Sequence, residues 1–324
     1  MILLLAIIYG RAQTEKDLLD IAPAIVKKVE DIETIHLELK NKLGEEKKDF
    51  FNKVPTKILE EENTLEKIKN DEKVTRQKYD EKIKTLENKK AQGGFSTISA
   101  PLKISFLKNF SKRIEINKIK NLEKKQHAQL TEWKENPEQI FNRNKKEKIN
   151  EIKTFAAIEK SHIHVGAKGE LRVLDKLSQL SNKYHILCGL NIGLDHYVTY
   201  NGQKNLRSAQ MDFVVVSNKG VILIEVKNWS SKFYRESNKI SPHEQVDRAG
   251  RVLWITLNSW LDPSPRVTNV LLSIQDNMRY DPRFKFVLVS NLEKINYFIE
   301  NRKEEFSDND VETIVDVLKD FVTE

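Results

Sequence analysis

Cysteine is almost absent. Cys188 stands alone in 324 residues, which excludes an intrachain disulfide framework and any zinc site built from several thiolates. A reducing compartment suits that scarcity, and a cytoplasmic location is the expectation. Glycine and proline are sparse, at 11 and 8, which removes the collagen-like and Pro/Gly-rich disordered classes. Long apolar runs are also missing. Met1–Tyr9, MILLLAIIY, would span about 13 Å as a helix against a hydrocarbon core of ~30 Å. No basic region precedes it and no small-residue cleavage site follows, so it makes a poor signal peptide. Three readings stay open for this run: a packed terminal strand or helix turn, a membrane contact through residues 1–9, or the end of a longer span. Apolar residues make up only 39% of the chain, below the ~45–50% of compact domains, so part of it lies outside a packed core.

Charge is abundant and uneven. Residues 1–100 hold 19 Lys+Arg and 19 Asp+Glu, and residues 161–324 hold 21 of each. Residues 101–160 hold 15 Lys+Arg against 8 Asp+Glu, so the whole net charge of +7 sits there. Such a stretch attracts phosphates through counterion release, or is simply a solvated helical face rich in lysine.

From Thr14 to about Lys90 the residues are helix formers. Ile25, Val29, Ile32, Leu39, Leu43, Phe50, Val54, Ile58, Leu65, Ile68, Tyr79, Ile83 and Leu86 recur largely at spacings of three and four. That spacing is one narrow stripe of a helix, closer to a coiled-coil seam than to a globular core face. Pro23 and Pro55 should kink or break it. Gly93-Gly94 stops the pattern and Ser99-Ala100-Pro101 suits a helix start. A second helical stretch follows from about Leu102 to Lys160, with an interruption expected at Asn136-Pro137. The organisation is therefore a short apolar segment (1–12), a helical coiled-coil-like hairpin arm (13–160) turning near 91–101, and a different domain from 161 to 324. His36 and His127 lack a ligand partner at i+3 or i+4 and read as surface or seam residues.

After Lys160 the texture changes, with seven of the eleven glycines and three of the four tryptophans. A helix is expected over Val165–Ser181 and a strand over Tyr184–Leu190. Two strands, Ala209–Ser217 and Val221–Lys227, are joined by the tight turn Asn218-Lys219-Gly220. A helix over Pro242–Leu261 ends at Asp262-Pro263, Phe284–Ser290 is a further strand, and Asp308-Asn309-Asp310 caps a last helix to about Val322. This order is an α/β sandwich around a mixed sheet.

Chemistry concentrates on the hairpin. Glu225 and Lys227 are two apart at the end of an apolar strand, so they share a face. Two ionisable groups there are costly unless they are paired or hold a metal. Asp212 on the neighbouring strand brings a second carboxylate. Two carboxylates, a backbone carbonyl and water suit a hard cation such as Mg²⁺, with Lys227 orienting water. A salt bridge is the plainer reading of Glu-x-Lys alone. Cys188 in a strand reads as buried and inert. Trp229 packs at the cleft edge or stacks on a base. His162 and His164 read as structural or solvated, and His243 as a rim candidate.

The larger pattern is Gly166-Ala167-Lys168-Gly169-Glu170, then Gln210-Met211-Asp212, then Ile224-Glu225-Val226-Lys227-Asn228-Trp229, then Pro242 and Gln245. At these residues the sequence resembles the nuclease-related domain (NERD) family of the PD-(D/E)xK nuclease-like superfamily, over about residues 161–324. The resemblance implies a PD-(D/E)xK-like α/β fold, a mixed sheet flanked by helices, here preceded by the helical arm. It implies a metal-dependent nuclease using Mg²⁺ or Mn²⁺. Asp212 and Glu225 would be metal-binding carboxylates, Glu170 the helix acid supporting metal or water, Lys227 the catalytic lysine, and Gln245 a rim residue contacting water or phosphate. Met211 departs from the branched residue common there, and the Pro242–Gln245 region matches loosely. The expected partner is nucleic acid, DNA first, with a homodimer through the arm as a further expectation. A nucleic-acid-binding or sensing protein with little turnover, and a coiled-coil scaffold tethering the domain, are the alternatives.

Overall fold

The computed structural model describes residues 5–91, 96–229, 241–261, 265–275 and 278–322. The tip glycines Gly93-Gly94, the helix stop Asp262-Pro263 and Met1–Leu4 lie outside the described residues. Contacts divide the chain into two compact units, Met1–Ile35 with Thr154–Glu324, and His36–Lys153.

The first unit is a mixed α/β structure. It begins with β1 (Ile7–Tyr9) and α1 (Gln13–Ile21), and Pro23 lies in the connection to α2 (Asp31–Ala91). A later helix, α7 (His162–Ser178), leads into β2 (His185–Tyr200), β3 (Gln203–Ser217) and β4 (Gly220–Lys227). Next come α8 (Pro242–Asn258), β5 (Val267–Ser273), β6 (Val287–Asn291), α9 (Ile295–Glu300) and α10 (Asp308–Lys319). The six strands stand side by side in chain order. β1 runs parallel to β2, the β2–β3–β4 pairs are antiparallel, and β4–β5–β6 are parallel. The last three residues of the apolar start thus pair as a strand, with Ile7 opposite His185 and Tyr9 opposite Leu187.

The β3–β4 hairpin forms as its sequence predicts. Ser217 pairs with Gly220 across Asn218-Lys219, and Gly220 takes a φ of 123° that disfavours any side chain. β4 is buried on both faces. Val221 and Leu223 pack with Val246, Val252 and Leu253 of α8, while Ile222, Ile224 and Val226 pack with Val173 and Leu177 of α7. A parallel crossover of this kind needs helices on both sides of the sheet, which explains the near-continuous apolar run.

Several expectations need correction. β2 extends ten residues past Leu190, through register shifts near Val198 that blur its alternation. β5 was not anticipated, because VTNVLLS follows a proline-rich stretch and carries Thr268 and Asn269. Asn269 fits because Gly250 of α8 has no side chain: a Cβ there would lie 2.0 Å from Asn269 Oδ1. The last helix is capped by Ser307 in a reciprocal box with Asp310, so of the expected Asp308–Asp310 run Asp310 takes part while the N-cap itself lies one residue earlier.

The second unit is a helical hairpin. α2 continues through Pro55 without the break that is one of the two outcomes expected there. The return stretch comprises α3 (Ser96–Phe106), a π-helical turn (Leu107–Ser111), α4 (Lys112–Glu135), α5 (Pro137–Asn144) and α6 (Lys146–Glu159). Pro101 lies inside α3 and not at its start, whereas Asn136-Pro137 does interrupt the helix, with Pro137 in the first turn of α5. Pairs run antiparallel: Glu87 with Lys108, Tyr79 with Glu115, Glu62 with Lys134 and Glu46 with Lys148. Phe50 packs on Trp133 at 5.7 Å and on Phe141 at 5.3 Å between ring centroids. Such exposed ion pairs contribute little individually, so the buried Val54, Leu65, Ile116, Leu130 and Phe141 hold the hairpin.

Candidate active site

The strands prepare the site by parting. β3 and β4 pair as far as Phe213 with Ile224, and the ladder stops there. The next position on each strand is an acid, Asp212 and Glu225. Val226 N–H donates at 2.7 Å to Asp212 Oδ2. A carboxylate that takes a backbone N–H where a ladder ends is held in one orientation. Glu225 and Lys227 follow Val221 and Leu223 on the same face of β4, as period two requires.

Lys227 Nζ donates at 2.6 Å to Glu225 Oε1, with both side chains nearly buried. The ammonium also lies 5.6 Å from the ring centroid of Trp229, which packs against the core edge. Glu225 Oε2 is buried and has no hydrogen-bond partner.

Glu170 arrives from α7, whose first turn is capped by Ser161, accepting from His164 N–H at 3.1 Å. Three contacts seat this helix. Asn228, directly after Lys227, donates to Val165 O at 2.9 Å. A Cβ on Gly169 would come within 3.0 Å of Asn228 Cβ, so this glycine sets how closely α7 approaches the end of β4. Thr14 N–H in the first turn of α1 donates to Glu170 Oε2 at 3.2 Å. Further on, Arg11 O presses against Gly189, which adopts a φ of 61°, and a Cβ there would lie 2.6 Å from that oxygen. The sequence pattern carried no sign of Thr14, because the contact joins residues 156 apart.

Three carboxylates share this region with one ammonium. Burial, and secondarily Glu225, pushes the pKa of Glu170 up to about 7 against the pull of Thr14 and Lys227. Burial, then Glu225 and Glu170, raises Asp212 well above the usual carboxylate range, although the residue keeps some exposed surface. Burial opposes the charge on Lys227, but Glu225, Asp212 and Glu170 together hold its pKa above the ordinary lysine value. The group therefore lacks positive charge and keeps one buried oxygen unpartnered. Hard-cation chemistry fits such a donor set. Among the described residues no three His, Cys, Asp or Glu side chains form a ready ligand set. A cation here would rest on two carboxylates, water and substrate, which is the habit of Mg²⁺.

Gln245 lies in the first turn of α8 and is exposed. No hydrogen bond among the described residues joins its side chain to the acids. His243 is 1% exposed, and its Nε2 is 2.8 Å from Arg279 O, so it is a packed residue and not a rim group. Cys188 is buried, and burial pushes its thiol up to about 12, which leaves it unreactive.

The model of the NERD family, the nuclease-related domain, matches residues 165–272. The chain carries a nuclease-related domain. The matched span takes in α7, the β3–β4 hairpin, α8 and most of β5, and with them Glu170, Asp212, Glu225, Lys227 and Gln245. It excludes α1 and its contact with Glu170. No curated protein and no solved structure matches the chain. No helix among the described residues is long and apolar enough to cross a membrane.

Proposed function

We propose that the nuclease-related domain hydrolyses phosphodiester bonds in DNA with the help of a divalent metal, Mg²⁺ in the first instance. The observation that carries this reading is that Asp212 and Glu225 stand on adjoining strands where β3 and β4 part, with Lys227 bonded to Glu225 and Glu170 within electrostatic reach. Asp212 and Glu225 are the carboxylates that would hold the ion, with Glu170 supporting its water. Bound there, Mg²⁺ would supply a water of lowered pKa and neutralise charge on the phosphate.

The remaining roles belong to the chain itself. Lys227 keeps its proton, because the acids around it raise its pKa. It therefore acts as a cation and hydrogen-bond donor toward phosphate or water and not as a base. Glu225 Oε1 aims that ammonium, and the backbone N–H of Val226 aims Asp212. Residues 161–324 are neutral overall, so the domain itself contributes little long-range attraction for a polyanion.

The test is a plasmid-nicking assay on the full chain with Mg²⁺, with Mn²⁺ and with EDTA. Cleavage should require the metal and fall by at least about 100-fold in Lys227→Ala. Cleavage that persists in EDTA or in the variant would remove the assigned mechanism.

A further inference from the structure

The far end of the helical arm carries a surface that the nuclease chemistry does not use. Leu102 is 76% exposed, and Phe106 and Phe110 are 57% exposed. These rings, four residues apart and so on one helical face, stack on each other at 5.4 Å. Ile114 continues the face at 41% exposure. Beside it, Leu86, Leu102, Lys103, Phe106 and Leu107 line an open groove of about 520 Å³. Large apolar residues on adjoining turns, left in water, mark a contact surface.

The charge around this face has one sign. Between Glu87 and Glu115 the sequence has no acidic residue for 27 positions, but it has Lys89, Lys90, Lys103, Lys108, Lys112 and Arg113. Two of the six are neutralised within the hairpin, Lys108 by Glu87 and Lys112 by Asp80. Lys89, Lys90, Lys103 and Arg113 are exposed and have no ion-pair partner among the described residues.

We propose that this tip docks on an anionic lipid bilayer. An apolar helical face bordered by lysine and arginine, without acids, lies in the headgroup region with its apolar side toward the acyl chains. Each cation near an anionic surface adds to the attraction. Two alternatives fit less well. A second copy of the same tip would bring the same unpaired cations together. Phosphates of a nucleic acid would satisfy the cations but leave Leu102 and Ile114 in water. The proposal is independent of the catalytic reading, because none of these residues belongs to the first unit.

The experiment is co-sedimentation of the full chain with vesicles of phosphatidylcholine alone or with about 30% phosphatidylserine. The chain should pellet with the anionic vesicles, and less with the neutral ones. Phe106→Ser with Phe110→Ser, and separately Lys103→Glu with Arg113→Glu, should each weaken binding about tenfold or more. All four side chains are exposed, and an unchanged helical circular dichroism signal confirms that the arm is folded. In Phe106→Trp, tryptophan emission should shift to the blue on adding anionic vesicles. DNA cleavage in vesicle-free solution should be the same for all variants. Absence of vesicle binding, or binding equal in wild type and both double variants, would overturn the proposal. So would a dimer in solution that Phe106→Ser with Phe110→Ser converts to monomer, because the face would then be a self-interface. Loss of single-stranded DNA binding in that variant, with vesicle binding unchanged, would equally overturn it.

Discussion

Replacing Glu170 by glutamine should stabilise the metal-free protein at high pH and leave it unchanged at low pH. Glutamine keeps the shape of the side chain, and its carbonyl still accepts from Thr14 N–H, so the substitution isolates the charge. Below pH 4.5 the carboxyl is protonated whether the chain is folded or not, and it contributes nothing to stability. As pH rises from 4.5 to about 7, the unfolded chain ionises first and the folded protein loses stability. Above about 7 the folded form ionises as well, and the penalty stays constant. The gap between 4.5 and about 7 corresponds to roughly 3 kcal/mol. Urea unfolding in EDTA, followed by tryptophan fluorescence in a Trp133→Phe background, reports on Trp229, Trp254 and Trp260 in the nuclease-related unit. Glu170→Gln should match wild type near pH 4 and exceed it by about 2–3 kcal/mol near pH 8.5. Equal stability at both pH values, or a variant weaker throughout, would refute the account of Glu170 as a buried acid held among like charges.

Three further outcomes follow from contacts around the site. Thr14→Pro removes the N–H that Glu170 accepts, in the first turn of α1 where proline is tolerated; the cleavage rate at saturating DNA should fall about tenfold with KM unchanged. Gly250→Ala drives a methyl into Asn269, where the gap is 2.0 Å, and should lower stability by about 1–3 kcal/mol in thermal unfolding. Cys188, with its thiol pushed up to about 12, should resist alkylation at pH 8 in the folded protein and react at once in denaturant.

What could be read from the amino acids was local. The run Val221–Ile224 and the turn at Asn218-Lys219 announced the hairpin, because a continuous apolar run and turn chemistry are properties of neighbours in sequence. The same run made Glu225 and Lys227 conspicuous as ionisable residues where apolar ones were due. β5 stayed hidden, because its Asn269 is tolerated only through Gly250, a contact between distant elements. The role of α1 was equally invisible: its helical pattern merged with the arm, and only the fold turns Thr14 N–H toward Glu170. The glycines of Gly166-Ala167-Lys168-Gly169 were a partial signal, because Gly169 marks the close approach of α7 to Asn228, whereas a side chain at Gly166 would meet Thr14 only at ordinary contact distance.

The measurement that bears most directly on the central claim is an anomalous difference map from crystals of the full chain soaked in Mn²⁺. The account predicts one strong peak within bonding distance of the carboxylates of Asp212 and Glu225, lost in Asp212→Asn. A map without a peak between these two residues, at a concentration where cleavage is supported, would contradict it.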